Sequence, residues 1–276
     1  MKLHLVFLSL IAAIAAHAQM PSAINYPAPS GSGMTVSQFY AATRHQPREF
    51  IDSLIIDRVL HGDVPQSLRR WALISDSLAD ATGKMHSITL AVSPDVLAIG
   101  SDSDYLRVPM LPATATRIAD MLDALLPTRK ISNLIHKHSA VKLTPHPMTP
   151  DSTMITLRVF IQHDSIIKSQ MAEQNATIGM LIAGHKKDVV ITNRIDSLPD
   201  RVHIYGWHYP NGKNIQPLYS GHTLPHVDYS HGIRLVSRDV LIDGSPRRLD
   251  EVLADPVLYA VFSDESAPMP RCRYFY

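Results

Sequence analysis

Between Tyr205 and Arg234 the chain reads YGWHYPNGKNIQPLYSGHTLPHVDYSHGIR. His208, His222, His226 and His231 fall here, interleaved with Trp207, Asp228, Tyr229 and Arg234. Imidazole suits proton transfer and metal ligation near neutral pH, so this density marks a candidate site. Two chemistries fit. In the first, His231 is a general acid or base oriented by Asp228. His208 or Lys187 stabilises developing negative charge, and Arg234 grips a substrate carboxylate. In the second, His208, His222 and His231, with Asp228 as an alternative ligand, hold a zinc ion that activates water. Trp207, Tyr229 and His185 are the expected substrate contacts, the aromatics stacking on a sugar or peptide.

Several patterns limit these readings. His222 and His226 have the i, i+4 spacing of helical zinc sites, but Pro225 argues against a helix between them. No HExxH motif is present and no glutamate lies between Glu173 and Glu251, which excludes a thermolysin-like protease. Ser230 beside His231 is no serine nucleophile, because neighbours on a strand face opposite ways and no G-x-S-x-G elbow exists. Each histidine alone is as well explained by a hydrogen bond at a turn. His203 and His226 are the weakest members, and only the cluster points to function.

Three segments must bring these residues together: Gly184–Asp188 opening a strand, Trp207-His208 closing one, and a loop over 222–234 leading into another. Strand ends in an antiparallel sheet lie side by side, and loops on a rigid sheet commonly carry sites. The strands expected are 187–192, 202–207, 214–219 and 233–236, with a hairpin at Asn211-Gly212 and a further turn at Asp243-Gly244. Short helices should follow over 248–254 and 256–262. Earlier in the chain, 35–60 reads as two helices broken near Pro47 and closed by a left-handed Gly62. Strands follow at 88–92, 96–99 and 105–110; the Asp102/Asp104 loop between the last two lacks EF-hand spacing. Helices are expected over 116–126 (stripe Ile118, Met121, Leu122, Leu125) and 131–138. Another, capped by Asp151 or Ser152, runs to Met171 with Ile155, Val159, Ile166 and Ile167 inward. His163, inside that helix, reads as a surface or satisfied core histidine. The class is α+β: a helical N-terminal half with a small sheet, and a mostly antiparallel β-sheet in the C-terminal half. One domain should span 35–276, with the proline-rich connector a candidate division into two lobes near 145–150.

Residues 1–18 have a basic start, an apolar run and an A-x-A ending, the grammar of a cleaved signal peptide, so a secreted or periplasmic location is expected. Residues 19–34, rich in Pro, Ser and Gly, read as a disordered leader. No transmembrane segment is expected after signal cleavage. The formal charge of +1 over 276 residues gives no basic excess for nucleic acid. Cys272 is the only cysteine, so no internal disulfide can form, and its terminal position suits a nucleophile poorly.

Ser230-His231-Gly232-Ile233-Arg234-Leu235 resembles the S-H-G-C-I/V-R-L/M signature of the L,D-transpeptidase family, which cross-links peptidoglycan through a cysteine. The cysteine, due between Gly232 and Ile233, is missing, and the upstream His-Gly pair is absent because Tyr209 follows His208. The resemblance therefore implies a β-rich site with histidine near arginine, not cysteine transpeptidation. The segments GHKKDVVIT, IYGWHYPNGKNIQPL and VDYSHGIRLV also resemble a family of secreted bacterial proteins of unassigned activity. The leading expectation is an exported, hydrolase-like enzyme acting on a cell-envelope or extracellular polymer, peptidoglycan or polysaccharide. A non-catalytic carbohydrate- or peptidoglycan-binding protein and a polysaccharide lyase are the alternatives.

Overall fold

The computed structural model describes residues 19–31 and 33–275; the expected signal peptide lies outside them. Helices α1 (Val36–Thr43) and α2 (Arg48–Leu60) flank the expected break at Pro47. Thr35 opens α1 with a reciprocal capping box to Gln38. Gly62, with φ +70°, closes α2 in the left-handed cap its position requires. Two hairpins follow, β1 (Ala72–Ala79) with β2 (Met85–Val92), and β3 (Ala98–Gly100) with β4 (Tyr105–Arg107). Then come α3 (Pro112–Met121), β5 (Ala124–Leu125), α4 (Arg129–His138) and β6 (Val141–Lys142). Thr128 caps α4 by accepting from the Ile131 amide. Asp151 caps a single 3-10 turn at Ser152–Ile155, and α5 (Leu157–Glu173) follows it. The remainder is β7 (Ile182–Ala183), β8 (Lys187–Val189), α6 (Arg194–Ser197), β9 (Ile204–His208), β10 (Asn214–Tyr219), β11 (His231–Gly232), β12 (Val236–Ile242), β13 (Ser245–Arg248), α7 (Leu249–Ala254) and α8 (Tyr259–Phe262).

The class is α+β, but the chain does not fold by halves. One sheet runs β1-β2-β12-β13 with β5 also on β12, so strands from both ends of the chain share it. The second runs β10-β9-β8-β11, with β11 parallel to β8, and β6 pairs in parallel with β7. A single apolar cluster includes Leu90 and Ile118 from before the proline connector and Val189 and Ile233 from after it. No described helix is long and apolar enough to cross a membrane.

Four local expectations change. The leader is packed: Ile24 donates to the Arg69 carbonyl at 2.8 Å, Ala23 bridges Arg70, and Met20 and Ile24 are buried. Its scattered apolar residues find the core despite the prolines around them. The helix expected over 116–126 starts earlier, at Pro112, a proline suited to a first turn. It stops at Met121, because Asp123 turns left-handed (φ +52°) and Leu125 pairs with Val236. Met121 and Ile155, expected inward, are exposed. Strand β1 was not among the expected elements.

One histidine ties two hairpin ends together. His86 Nε2 lies 3.1 Å from Asp80 Oδ2, and its Nδ1 lies 2.7 Å from Asp243 Oδ2, in the left-handed Asp243-Gly244 turn. Hydrogen bonds donated to the carboxylates of Asp243 and then Asp80 raise the imidazole above its ordinary value, with burial and then Lys84 opposing them. A raised folded value means stabilisation that is full below pH about 6.5 and is lost as pH rises through that raised value. The thermal midpoint should therefore fall as pH is taken from mildly acid to mildly alkaline, and the His86→Asn variant should show a flatter profile. An unchanged profile in that variant would assign the pH response elsewhere.

Candidate functional site

The site is built where β11 meets β8. His231 stands opposite Lys187 in the parallel register. The approach is so close that a Cβ on Gly232 would stand 2.7 Å from Val96 Cγ1 and 2.8 Å from Lys186 Cβ, so only glycine fits. In the loop before β11, the His226 amide donates to the Thr223 carbonyl at 3.0 Å. That turn lays the His222 and His226 rings face to face, centroids 3.9 Å apart and planes 15° apart. The i, i+4 spacing thus works through a turn, which Pro225 permits and a helix would not.

Asp228 completes the group. Its Oδ1 accepts from the Ser230 amide at 2.7 Å and the Ser230 hydroxyl at 2.5 Å. Its Oδ2 faces His226 Nε2 at 3.5 Å and His231 Nε2 at 3.7 Å, beyond good hydrogen-bond length. One ligand atom each from His222, His226 and Asp228 lies within 4.8 Å of the others, a spacing that can hold a metal ion. His231 sits behind them, its ring 6.4 Å from His222 and 6.0 Å from His226. It is 1% exposed, and neither ring nitrogen has a hydrogen-bond partner. Buried polar atoms are rarely left so, and Nε2 lies 3.7 Å from the Asp228 oxygen of the cluster.

Electrostatics follow from this crowding. Burial works to raise the Asp228 carboxyl, but the rings of His231 and His226, Lys187 and the Ser230 hydroxyl outweigh it and hold it well below the usual carboxylate range. Burial pushes His231 down to about 4, against the pull of Asp228, so the ring is neutral at pH 7. His222 is lowered as well, by burial and then by His226. Burial also lowers Lys187, whose ammonium lies 4.9 Å over the Trp207 ring and makes no ion pair among the described residues. The arrangement is a set of two imidazoles and one carboxylate with the spacing to hold a metal ion, with a neutral histidine behind and an ammonium beside it.

The other sequence candidates stand elsewhere. Gly206 and Trp207 both have positive φ (+102° and +56°), and this break in β9 upsets its alternation. His208 consequently packs toward α4, stacked on His136 at 4.8 Å with its Nε2 2.8 Å from Asn133 Oδ1. It is absent from the metal-capable group, and the zinc set expected from His208, His222 and His231 gives way to His222, His226 and Asp228. Trp207 is buried and donates to the His185 carbonyl; Tyr229 is buried and accepts from the Met148 amide. Neither can stack on a substrate. Arg234 donates to the carbonyls of Ser93 (3.1 Å) and Ile182 (2.8 Å) from a wholly buried position, so it staples loops and cannot grip a carboxylate in solvent. Cys272 is no thiolate nucleophile, because burial pushes its thiol up to about 12.

Beneath the site lies a buried polar network that the sequence did not disclose. Arg107 binds Asp95 (2.7 Å) and Asp164 (2.8 Å), and His185 Nε2 lies 2.9 Å from Asp95 Oδ1. His185 is therefore an internal partner of Asp95, not a substrate contact. Lys186, which burial pushes down to about 8, faces His163 Nδ1 at 3.1 Å and donates to the Tyr229 carbonyl. Since Lys186 precedes β8 and Tyr229 precedes β11, this network fixes the two strands that carry Lys187 and His231.

His226 is the member of the metal-capable group that sequence reasoning undervalued. Its signal was the spacing to His222 together with a carboxylate two positions on. Comparison with protein-family models, curated proteins and solved structures finds no match, and the assignment of this centre rests on its own geometry.

Proposed function

We propose that the chain is a metal-assisted hydrolase whose centre is formed by His222, His226 and Asp228. The observation that carries this is the convergence of their ligand atoms within 4.8 Å in front of a buried histidine with no partner. Two imidazoles and a carboxylate leave a fourth position open, the pattern of catalytic rather than structural zinc. A bound ion would supply a polarised water at neutral pH. Asp228 is the only anionic ligand, and Ser230 fixes its orientation. The proton of the attacking water passes to the leaving oxygen as the bond breaks, and His231, neutral and 3.7 Å from the outer Asp228 oxygen but 1% exposed, stands behind Asp228 without touching substrate. Lys187 offers an unpaired ammonium for negative charge that develops on the substrate. The export expected of the N-terminal segment supports a polymer of the envelope or the extracellular space as substrate. The binding-module alternative loses the platform it relied on, because Trp207 and Tyr229 are buried.

Zinc titration of the chelator-treated protein should show one ion per chain. The substitutions His222→Ala and His226→Ala should each weaken binding by more than about 100-fold, beyond the 10–100-fold typical of an outer supporting residue. Zinc uptake that is absent in the parent, or unchanged in both variants, would dispose of the centre.

A further inference from the structure

A hollow of about 410 Å³ lies away from the histidine cluster. It lies where the C-terminal tail crosses β5, β12 and α6, and it is lined by Arg238, Arg271, Arg273, Asp196 and Asp250, with Cys272 in its wall. Its size is that of a small-ligand site. Arg238 is saturated by Asp120 and Asp250. Arg271 is bound to Asp196 through Nε alone, which leaves both terminal nitrogens of its fork without a bond among the described residues, and the guanidinium stacks on Phe275 at 4.2 Å. Arg273 has a loose 3.7 Å contact to Asp120 and is 60% exposed.

A continuous strip joins this hollow to the histidines. Asn193 donates to the carbonyls of Ala267 and Pro268, which pins the start of α6 to the tail. Arg194 reaches Ser220 Oγ at 3.3 Å, and Arg201 reaches the Gly221 carbonyl at 3.0 Å. The Val202 amide then donates to the His222 carbonyl, and the Leu224 amide to that of Asp200. Arg271, Arg194 and Arg201 are thus carried on segments linked in series from the tail to the turn that bears His222 and His226, with Arg273 beside Arg271 at the hollow. Of the carboxylates along these segments, Asp196 is held by Arg271 and Asp200 lies 3.4 Å from Arg201 Nε. Exposed aromatics flank both ends: Phe275 (48%) under Arg271, and Tyr219 (42%), whose ring lies 5.1 Å from His222.

Guanidinium forks with free edges favour planar oxyanions, and flat aromatic faces favour sugar rings. We propose that an acidic polysaccharide, a polymer of carboxylate-bearing sugars, lies along this strip, anchored at the hollow by Arg271 and Arg273 and presented to His222 and His226 at the other end. The proposal names the substrate class of the hydrolytic site and rests on that reading for turnover, though not for binding.

The test is equilibrium binding of the whole protein to polygalacturonate, to neutral dextran and to single-stranded DNA, each at low and high salt. Polygalacturonate should bind with an affinity that falls as salt rises, dextran should not bind, and DNA should bind more weakly. The double variant Arg271→Ala/Arg273→Ala should lose about 10-fold in affinity, the worth of two exposed ion pairs, with its thermal midpoint kept. An unchanged affinity in the double variant, equal binding of dextran, or preference for DNA overturns the proposal. Failure of zinc uptake with polygalacturonate binding intact would instead remove the hydrolytic centre and leave the strip standing.

Discussion

Replacing Arg107 by alanine should destabilise the protein by about 3–5 kcal/mol, the range for removing one partner of a buried ion pair. The guanidinium is 1% exposed, with Asp95 and Asp164 each 2% exposed on either side of it. Asp95 also accepts from the Val96 amide and contacts His185, while Lys168 reaches Asp164 at 2.9 Å from the rim. Without the guanidinium, Asp95 keeps only a neutral imidazole and an amide, so its charge is left uncompensated. Burial works to raise Asp95, but Arg107 and then His185 hold it far below the usual carboxylate range. Its contribution is therefore present above pH about 4 and lost as pH falls through the depressed folded value. The parent should unfold cooperatively in acid. Arg107→Ala should already show its deficit at pH 7 in urea unfolding, and Arg107→Lys, which keeps the charge but not the fork, should lose less. A deficit below about 1 kcal/mol would mean that the two aspartates find other compensation. Because this network positions Lys186 and His185 at the head of β8, the alanine variant should also weaken metal binding while every ligand is still present.

How much of this the sequence reveals depends on how local the physics is. The turns at His61-Gly62, Asn211-Gly212 and Asp243-Gly244 are legible because a left-handed residue is a one- or two-residue requirement, and β10 falls where its β-prone run predicts. Strand β1 is not legible. It pairs with β2 alone, and although burial alternates along it, Leu73 faces solvent and Asp76 faces inward, so residue type does not follow the alternation. The charge network is invisible for the opposite reason: Arg107 meets Asp95 across 12 positions and Asp164 across 57, and His185 meets Asp95 across 90. The one available hint is a lone arginine inside the otherwise apolar run Tyr105–Met110. In the site, Asp228, His222 and His231 are readable from density. His208 is misplaced because the break at Gly206-Trp207 turns it toward α4, which no periodicity foretells. Trp207 and Tyr229 show that an aromatic beside a histidine fits a core as well as a binding face.

Asp228→Asn should reduce turnover by at least about 100-fold, the effect of deleting one well-placed electrostatic group, and should abolish stoichiometric zinc uptake. The asparagine keeps the shape and retains an oxygen for the Ser230 hydroxyl and amide, so the loop before β11 stays formed. What disappears is the one negative charge among three imidazoles and an ammonium. His222→Ala should match the loss, because a three-ligand centre fails with either member gone. His208→Gln supplies the contrast: its ring touches Asn133 and His136, so it should lose stability and keep both zinc and turnover. The products then separate two chemistries on an acidic polysaccharide. Hydrolysis adds water across the glycosidic bond and leaves saturated ends. Proton abstraction beside the sugar carboxylate expels the leaving group, which takes up a proton, and creates a double bond that absorbs in the ultraviolet. Saturated ends that vanish in Asp228→Asn and persist in His208→Gln are the expected result. Ultraviolet-absorbing ends would replace hydrolysis by elimination, and activity surviving in Asp228→Asn would remove the metal centre from the chemistry.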